Sequence, residues 1–454
     1  MSRVSPTAKR RERAAQPVPA LTKPRKQRLP AVAERVLPNG LRVVAVRRAS
    51  VPLVHVRLRV PNALRRESDL ARVAVLGRSM MLGAGGRSQN ELAQALQSIG
   101  GSLRVDDGPD RMAFSGDALK SGFGDLLGLL SDVLTDPMYP KSAVQREAGR
   151  LNDHVRRALS QPGVIADEAW LHRRYGDHPY GRTIPTPEEI SAVPPGSLKA
   201  THRRRLLPDG SLLVVVGDIT PARALDQVEK ALSGWQAEGR GATVARVPDL
   251  PRGPLLLVDR PGAVQSNLRL GGRAPRRTDP TYPAAQVANG IFGGYFSSRL
   301  TMNIREDKGY TYSPFSSIRT QRGDVRVVTS ADVATEVTAP AMVEVLYELG
   351  RIATLRAKPE ELEGTVQYLT GTLALATATQ AGLAETLTEL LSDGMGVDWL
   401  QEYPARLAAV TLDDVQAAAA AMLAPETMVK VVVGDADVVE AGLSMLTEVV
   451  RRER

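Results

Sequence analysis

The chain contains one stretch of sequence twice: Leu206-Leu-Pro-Asp-Gly-Ser-Leu-Leu-Val-Val-Val-Gly-Asp218 aligns without gaps with Leu423-Ala-Pro-Glu-Thr-Met-Val-Lys-Val-Val-Val-Gly-Asp435. Each copy has the pattern of a helix end, a proline turn, an apolar strand and a Gly-Asp stop before another helix. The two copies lie 217 positions apart, and the same offset pairs Gly77 with Gly294. This spacing predicts a duplicated domain of roughly 200 residues.

The composition agrees with two packed domains and excludes several kinds of chemistry. Of 454 residues, 43% are hydrophobic but only 4% are aromatic, so the cores must consist mainly of Leu, Val and Ala. The chain has no cysteine, which excludes disulfides, thiolate zinc sites and cysteine nucleophiles. It also lacks an apolar run of about 18 residues and an apolar signal segment, so we expect a cytoplasmic protein without a membrane span.

Most of the excess positive charge lies near the N-terminus. Residues 1–30 carry nine Lys or Arg and one acid, whereas the net charge of the whole chain is +9. Because residues 1–33 are rich in Pro and Ala and poor in large apolar side chains, they are predicted to form a disordered basic tail. The rest of the chain has no basic patch interleaved with aromatic residues, so nucleic-acid binding is not expected.

The order of predicted elements is the same in both halves: strands, two helices, a strand pair, further helices, a strand and a last helix. Strands that cluster apart from helices favour an α+β fold, here two homologous α/β-sandwich domains in tandem. We place the first domain at 34–235, a linker at 236–253 and the second domain at 254–450. The alternating stretch 51–60 is either an ordinary sheet strand or an edge strand that binds an extended peptide by β-augmentation.

Two motifs in the second half carry a resemblance to a known family. They are Gly293-Gly-Tyr-Phe-Ser-Ser-Arg-Leu300 and Ile304-Arg-Glu-Asp-Lys-Gly-Tyr-Thr-Tyr-Ser313. In the first half, Leu37-Pro-Asn-Gly-Leu-Arg-Val43 and Asp177-His-Pro-Tyr-Gly181 fit the same pattern in the same order. Over about residues 34–450 the chain resembles the pitrilysin-like inverzincin metallopeptidases, which include insulysin and mitochondrial processing peptidase. The resemblance implies two homologous domains that form half of a clamshell.

An active member of this family carries H-x-x-E-H on the first long helix, where two histidines hold zinc and the glutamate is the general base. Counting back from the end of the predicted helix places that motif at Ala74-Val-Leu-Gly-Arg78, so Ala74 and Arg78 replace the histidines and Gly77 replaces the base. The third ligand falls near His154. One histidine opposite these residues cannot hold zinc, so the chain is predicted to bind no metal and to be inactive alone. Arg78 either supplies positive charge in the vacant slot or is an ordinary surface arginine.

The second half keeps a different part of the family's site. Family members pair an Arg with a Tyr seven residues later on the closing face of the second domain, and Arg305 and Tyr312 match that spacing. A guanidinium and a phenol O–H can both donate hydrogen bonds to the oxyanion that forms during peptide hydrolysis. Alternatively, Arg305 is a surface helix charge and Tyr312 is a packed strand aromatic. Tyr310 competes with Tyr312, because residues two apart on a strand share a face.

A lost zinc motif together with an Arg/Tyr pair resembles the division of labour in heterodimeric members of this family, where one subunit brings the zinc helix and the other brings the pair. The resemblance implies a non-catalytic subunit that assists a zinc metalloendopeptidase, with zinc held by a homologous partner subunit and a peptide as substrate. Arg305 and Tyr312 would then act in trans at the partner's zinc site. The alternative is a catalytically inert scaffold of the same fold, as in respiratory core proteins.

Overall fold

The computed structural model describes residues 30–66, 69–236, 243–249 and 253–453. Most of the predicted basic tail, residues 1–29, lies outside the described residues, as do 237–242 and 250–252 of the predicted linker. The first strand begins at Val32, inside the predicted tail, because Val32–Val36 pairs antiparallel with Arg42–Arg47. No helix in the described ranges is long and apolar enough to cross a bilayer.

The first half alternates short strands with helices, besides a few 3₁₀ turns. The strands are β1 (Val32–Val36), β2 (Arg42–Arg47), β3 (Leu53–Pro61), β4 (Gly83–Ala84), β5 (Arg87–Ser88), β6 (Ser102–Asp107), β7 (Arg111–Leu119) and β8 (Leu212–Gly217). The helices are α1 (Asp69–Ser79), α2 (Gln89–Ser98), α3 (Phe123–Thr135), α4 (Lys141–Ala158), α5 (Pro162–Tyr175), α6 (Pro187–Ser191), α7 (Leu198–Arg205) and α8 (Pro221–Leu232).

The second half repeats this plan and adds two π-helical turns, Gly290–Gly294 and Met302–Asp307. Its strands are β9 (Leu255–Asp259), β10 (Gln265–Arg273), β11 (Phe315–Thr320), β12 (Val325–Ala334), β13 (Val429–Gly434) and β14 (Val449–Arg452). Its helices are α9 (Tyr282–Asn289), α10 (Arg299–Thr301), α11 (Thr338–Thr354), α12 (Pro359–Ala376), α13 (Gln380–Ser392), α14 (Trp399–Ala408), α15 (Leu412–Met422) and α16 (Ala436–Ser444).

Each half contributes one six-stranded sheet, and the repeated stretch of sequence lies inside both. The first sheet has the order β1-β2-β8-β3-β7-β6, and the second has the order β14-β9-β13-β10-β12-β11. β8 and β13 occupy equivalent positions, each parallel to one neighbour and antiparallel to the other. β8 is buried along its whole length, as expected for a central strand that is covered on both faces. The predicted α+β architecture of two tandem domains is confirmed.

The stretch 51–60 is not an edge strand. β3 lies between β8 and β7 and forms a hydrogen-bonded ladder with each. Its backbone groups are therefore already paired, and a peptide cannot be added there. The edge-strand interpretation is wrong because alternation of apolar and polar residues reports the two faces of a strand and not its neighbours in the sheet.

One helix from each half packs on the sheet of the other half. α5 lies against β10 and β13 of the second sheet, where Trp170 Nε1–H donates to Val429 O at 3.1 Å. α13 lies against β3 and β8 of the first sheet, where Arg57 Nε is 3.0 Å from Glu385 Oε2. The largest hydrophobic core accordingly combines valines of the first sheet with leucines of α13. The two domains are thus joined by a reciprocal exchange of helices.

Candidate functional site

The chain between α9 and β11 departs from regular helix at two places. Gly290–Gly294 and Met302–Asp307 form π-helical turns, and Arg305 belongs to the second of them. Lys308 N–H donates to Asn303 O at 3.0 Å, five residues back, which is the hydrogen bond of a π turn. Such turns are rare and occur frequently at functional sites, so the conformation singles out this segment.

Gly309 reverses the chain after the second π turn. Its φ of 67° lies in the left-handed region that glycine adopts without strain. Gly309 N–H donates to Arg305 O at 3.1 Å, and Tyr310 N–H donates to Ile304 O at 2.8 Å. The reversal brings Tyr312 back beside Arg305.

Arg305 and Tyr312 are in contact at the surface of the second domain. The Arg305 Cζ lies 4.7 Å from the ring centroid of Tyr312 and 4.7 Å from that of Phe296, so two rings hold the guanidinium. Cation–π contacts of this kind contribute about 0.5–2 kcal/mol. Tyr312 is 80% exposed, and Arg305 Nε lies 3.1 Å from Glu306 Oε1. The pair is therefore accessible to a ligand from solvent.

The structure distinguishes Tyr312 from its competitor Tyr310. Tyr310 is half-buried and packs against the core of the second domain, whereas Tyr312 is exposed. Neither residue lies on a strand, since β11 begins at Phe315. The interpretation of Tyr312 as a packed strand aromatic is therefore wrong, and Tyr312 is the tyrosine that contacts Arg305.

Buried contacts fix the segment that carries Arg305. The guanidinium of Arg299 makes two hydrogen bonds of 2.7 Å to the carboxylate of Glu361 on α12. Asn289 Nδ2 donates to Ser316 O at 3.1 Å, and Ser316 Oγ donates to Asn289 Oδ1 at 2.6 Å. Gly293 has no room for a side chain, because a Cβ there would lie 3.0 Å from the Cβ of Ser316. These contacts hold the π turns against β11 and so preorganise the surface above them.

In the first domain, protein groups fill the place that corresponds to the zinc motif. Ala74 and Gly77 are buried on α1, and Arg78 is exposed. The carboxyl group of Asp107, at the end of β6, lies next to Gly77, because a Cβ on Gly77 would be 3.0 Å from Asp107 Oδ1. A glutamate at position 77 would therefore meet this carboxyl group.

The carboxyl group of Asp107, next to Gly77, has a shifted pKa. Loss of surrounding water raises the pKa of Asp107 from 3.8 to about 6, although the residue as a whole retains exposed surface. The positive charge of Arg78 opposes this rise. Arg78 is thus both an exposed arginine and a source of positive charge in the slot, so the two interpretations from the sequence do not exclude each other.

The residues present at this slot do not fit zinc. Ala74 and Gly77 have no donor atoms, Arg78 is a cation, and His154 is exposed on the separate helix α4. Structural zinc needs four ligands and catalytic zinc needs three from the protein. Within the described ranges, no group of three or more His, Asp or Glu side chains is arranged to hold a metal ion.

Comparison with known proteins places both domains in one family. The model described as Insulinase (Peptidase family M16) matches residues 65–188, and the model described as Peptidase M16 inactive domain matches residues 192–369. The two matches together cover about two thirds of the chain. The chain belongs to peptidase family M16. The resemblance to the pitrilysin-like peptidases is thereby confirmed.

Relatives of this M16 chain occur in bacteria. An uncharacterized zinc protease of Mycobacterium leprae is 27% identical over 292 residues, which is 63% of this chain and 66% of the relative. The alignment thus spans slightly less than two thirds of that protein. An uncharacterized zinc protease of Streptomyces coelicolor is 24% identical over 402 residues, which is 86% of each chain.

Solved structures share the M16 fold over nearly the whole described chain. A peptidase M16 inactive domain from Pseudomonas fluorescens has a TM-score of 0.82 at 21% identity, covering 89% of this chain and 98% of that one. A protease from Helicobacter pylori has a TM-score of 0.81 at 15% identity, covering 90% of this chain and 100% of that one. At these identities the likeness concerns the fold alone.

Two residues next to these candidate positions were not predicted from the sequence. Phe296 stands inside a motif that carried the resemblance, but a phenylalanine in a motif gives no sign that its ring is 57% exposed and lies on Arg305. The chain has only five phenylalanines. The rarity of this residue type was the one feature of the sequence that could have drawn attention to Phe296. Asp107 reaches Gly77 only through the packing of β6 on α1, a long-range contact that no local pattern predicts.

Proposed function

We propose that this chain is the non-catalytic subunit of a heterodimeric zinc metalloendopeptidase that acts on peptides. A homologous partner subunit would hold the zinc, and this chain would contribute Arg305 and Tyr312 to the partner's site in trans. The supporting observation is the asymmetry between its two domains. The first offers Ala74, Gly77 and Arg78 where ligands and base are needed, while the second presents Arg305 against Tyr312 at its surface.

The chemistry of the pair suits amide hydrolysis. Attack on a peptide carbonyl moves negative charge onto its oxygen, and the guanidinium N–H and phenol O–H groups donate hydrogen bonds that strengthen as this charge grows. Because Arg305 is held between the rings of Phe296 and Tyr312, it loses less freedom when it engages a substrate. The partner's zinc would supply the activated water.

The test is a peptide-cleavage assay on this chain alone, on a homologous subunit with an intact H-x-x-E-H motif, and on the two together. We expect cleavage only by the pair. Arg305→Ala and Tyr312→Phe should each lower kcat by about 10²–10³-fold, the usual effect of removing one oxyanion donor. Arg356→Ala and Tyr347→Phe are matched controls, since both side chains are exposed on the same domain.

Two results would contradict this role. One is a chain that cleaves peptides alone as fast as the pair does. The other is a pair whose activity is unchanged by Arg305→Ala and Tyr312→Phe. A stable complex of the two subunits without peptidase activity would instead favour the inert scaffold.

A further inference from the structure

Exposed aromatic side chains are confined to the second domain. The chain has five Phe, three Trp and ten Tyr, and all of them lie in the described residues. Eleven are buried, and Tyr295 and Tyr310 are half-buried. The exposed ones are Phe296, Tyr312, Phe315, Tyr347 and Tyr368. Aromatic side chains are enriched in binding surfaces, so this segregation indicates where the molecule contacts something else.

Several of these rings, together with half-buried Tyr295, lie at or next to the candidate site. The rings of Tyr295 and Tyr368 stack with centroids 4.7 Å apart and planes 23° apart. Phe296 follows Tyr295 in sequence and lies on one side of Arg305, with Tyr312 in contact with the same guanidinium. We call Tyr368, Tyr295, Phe296, Arg305 and Tyr312 the aromatic strip.

Phe296 occupies a fixed position in this strip. It lies in a four-residue turn that is closed by the hydrogen bond from Ser298 N–H to Tyr295 O at 3.1 Å. The turn is anchored by buried Ser298 and by Arg299, whose guanidinium is bound to Glu361. The ring of Phe296 is nevertheless 57% exposed. Its outer surface is therefore not used by the fold and is held ready for a contact.

We propose that Phe296, with the rest of the aromatic strip, forms a subsite for a large apolar or aromatic side chain of the peptide whose carbonyl group Arg305 and Tyr312 hold. This inference rests on the proposed function, because it assumes that those two residues bind a peptide. Successive Cα atoms of a peptide are about 3.8 Å apart, and the guanidinium lies 4.7 Å from the ring of Phe296. A side chain next to the bound carbonyl group thus falls within reach of this ring.

Because the side chain of Phe296 is a hydrocarbon ring, we expect the subsite to prefer large apolar side chains of the peptide over small ones. Its ring offers no hydrogen bond, so it stabilises a ligand only by removing apolar area from water and by ring stacking. A methyl group covers little of such a surface. We therefore expect discrimination between Phe and Ala in the peptide, with Leu closer to Phe than to Ala.

The experiment uses the assembled pair and two fluorogenic peptides that differ only by Phe or Ala at one position beside the scissile bond, which mass spectrometry of the products locates. Phe296→Ala should lower kcat/KM for both peptides, because the ring also contacts Arg305, but the loss should be about 10–100-fold larger for the Phe peptide than for the Ala peptide. Phe296→Leu should recover much of the loss. Tyr347→Ala is the matched control, because Tyr347 is an exposed aromatic on α11 outside the aromatic strip.

The outcomes separate this inference from the proposed function. Equal losses for both peptides would mean that Phe296 only positions Arg305, and unchanged values for both would mean that its ring contacts no substrate. Either result overturns the subsite and leaves the proposed function standing if Arg305→Ala still lowers kcat by about 10²–10³-fold. If Arg305→Ala and Tyr312→Phe have no effect on either peptide, the proposed function fails and the subsite fails with it.

Discussion

The indole ring of Trp170, on α5 of the first domain, lies directly against Gly271 in β10 of the second domain. A Cβ on Gly271 would be 2.7 Å from Trp170 Cζ2 and closer still to the carbonyl oxygen of Val327. The missing side chain of Gly271 is therefore what allows the exchanged helix to reach its sheet.

Replacing Gly271 should weaken the contact between the domains. We expect Gly271→Ala to destabilise the chain by about 1–3 kcal/mol, because the added methyl group overpacks a site that has no space for it. Chemical denaturation followed by tryptophan fluorescence would measure the change. Gly350→Ala on α11, where a Cβ meets nothing within 4 Å, should be neutral or stabilising by up to about 1 kcal/mol. Equal effects of the two substitutions would contradict this account.

Loss of Glu385 should leave two largely buried arginines without their carboxylate partner. Glu385 on α13 pairs with Arg57 and Arg59 of the first sheet, whose side chains are 12% and 13% exposed. Breaking a fully buried pair costs about 3–5 kcal/mol, and because Glu385 is itself 41% exposed we expect about 1–3 kcal/mol for Glu385→Ala. Urea denaturation of the intact chain tests this.

The control for that substitution is Glu402→Ala. Glu402 and Arg406 form an exposed pair within α14, and such pairs contribute about 0–0.5 kcal/mol. A cost for Glu385→Ala no larger than that of the control would show that the ion pairs do not help to join the domains.

The carboxyl group of Asp107 should make stability depend on pH. Its pKa is about 6 in the fold and 3.8 in the reference state, so ionisation is less favourable in the folded chain. The folded state therefore loses stability as pH rises from about 4 to about 6, and the loss remains at higher pH. We expect Asp107→Asn to raise Tm at neutral pH, with the difference shrinking toward pH 4. A Tm difference that stays constant across pH would argue against the assignment.

Neither domain should fold alone. Without α13 the first sheet exposes its buried valines, and without α5 the second sheet loses the contacts of Trp170. We expect fragments 30–236 and 243–453 to lack a cooperative transition when expressed separately and to regain one when expressed together. Circular dichroism during thermal unfolding measures this. A sharp transition in either isolated fragment would contradict it.

The duplicated stretch predicted the fold well because the residues that make it a buried strand lie next to one another in the sequence. A Val-Val-Val run between a proline turn and a glycine is what a strand buried on both faces requires, and β8 and β13 are such strands. The exchange of α5 and α13 was not predictable in the same way. Periodicity shows that a helix has an apolar face, but it does not show which sheet covers that face.

At the candidate site, too, the sequence predicted the residues but not the contact between their side chains. The spacing of Arg305 and Tyr312 was visible in the sequence, whereas their contact depends on a π turn and on the positive φ of Gly309. Neither is encoded by hydrophobic periodicity. The sequence therefore named the two residues, and the backbone conformation determined that their side chains meet.

The packing of α5 on the second sheet also bears on which deletions a gene for such a chain can undergo over generations. A domain that offers no set of metal ligands among its described residues would ordinarily be free to shrink or disappear. Here a deletion of the first domain would take away a helix that the other domain needs, so the cost of shortening falls on the half that still presents its polar pair.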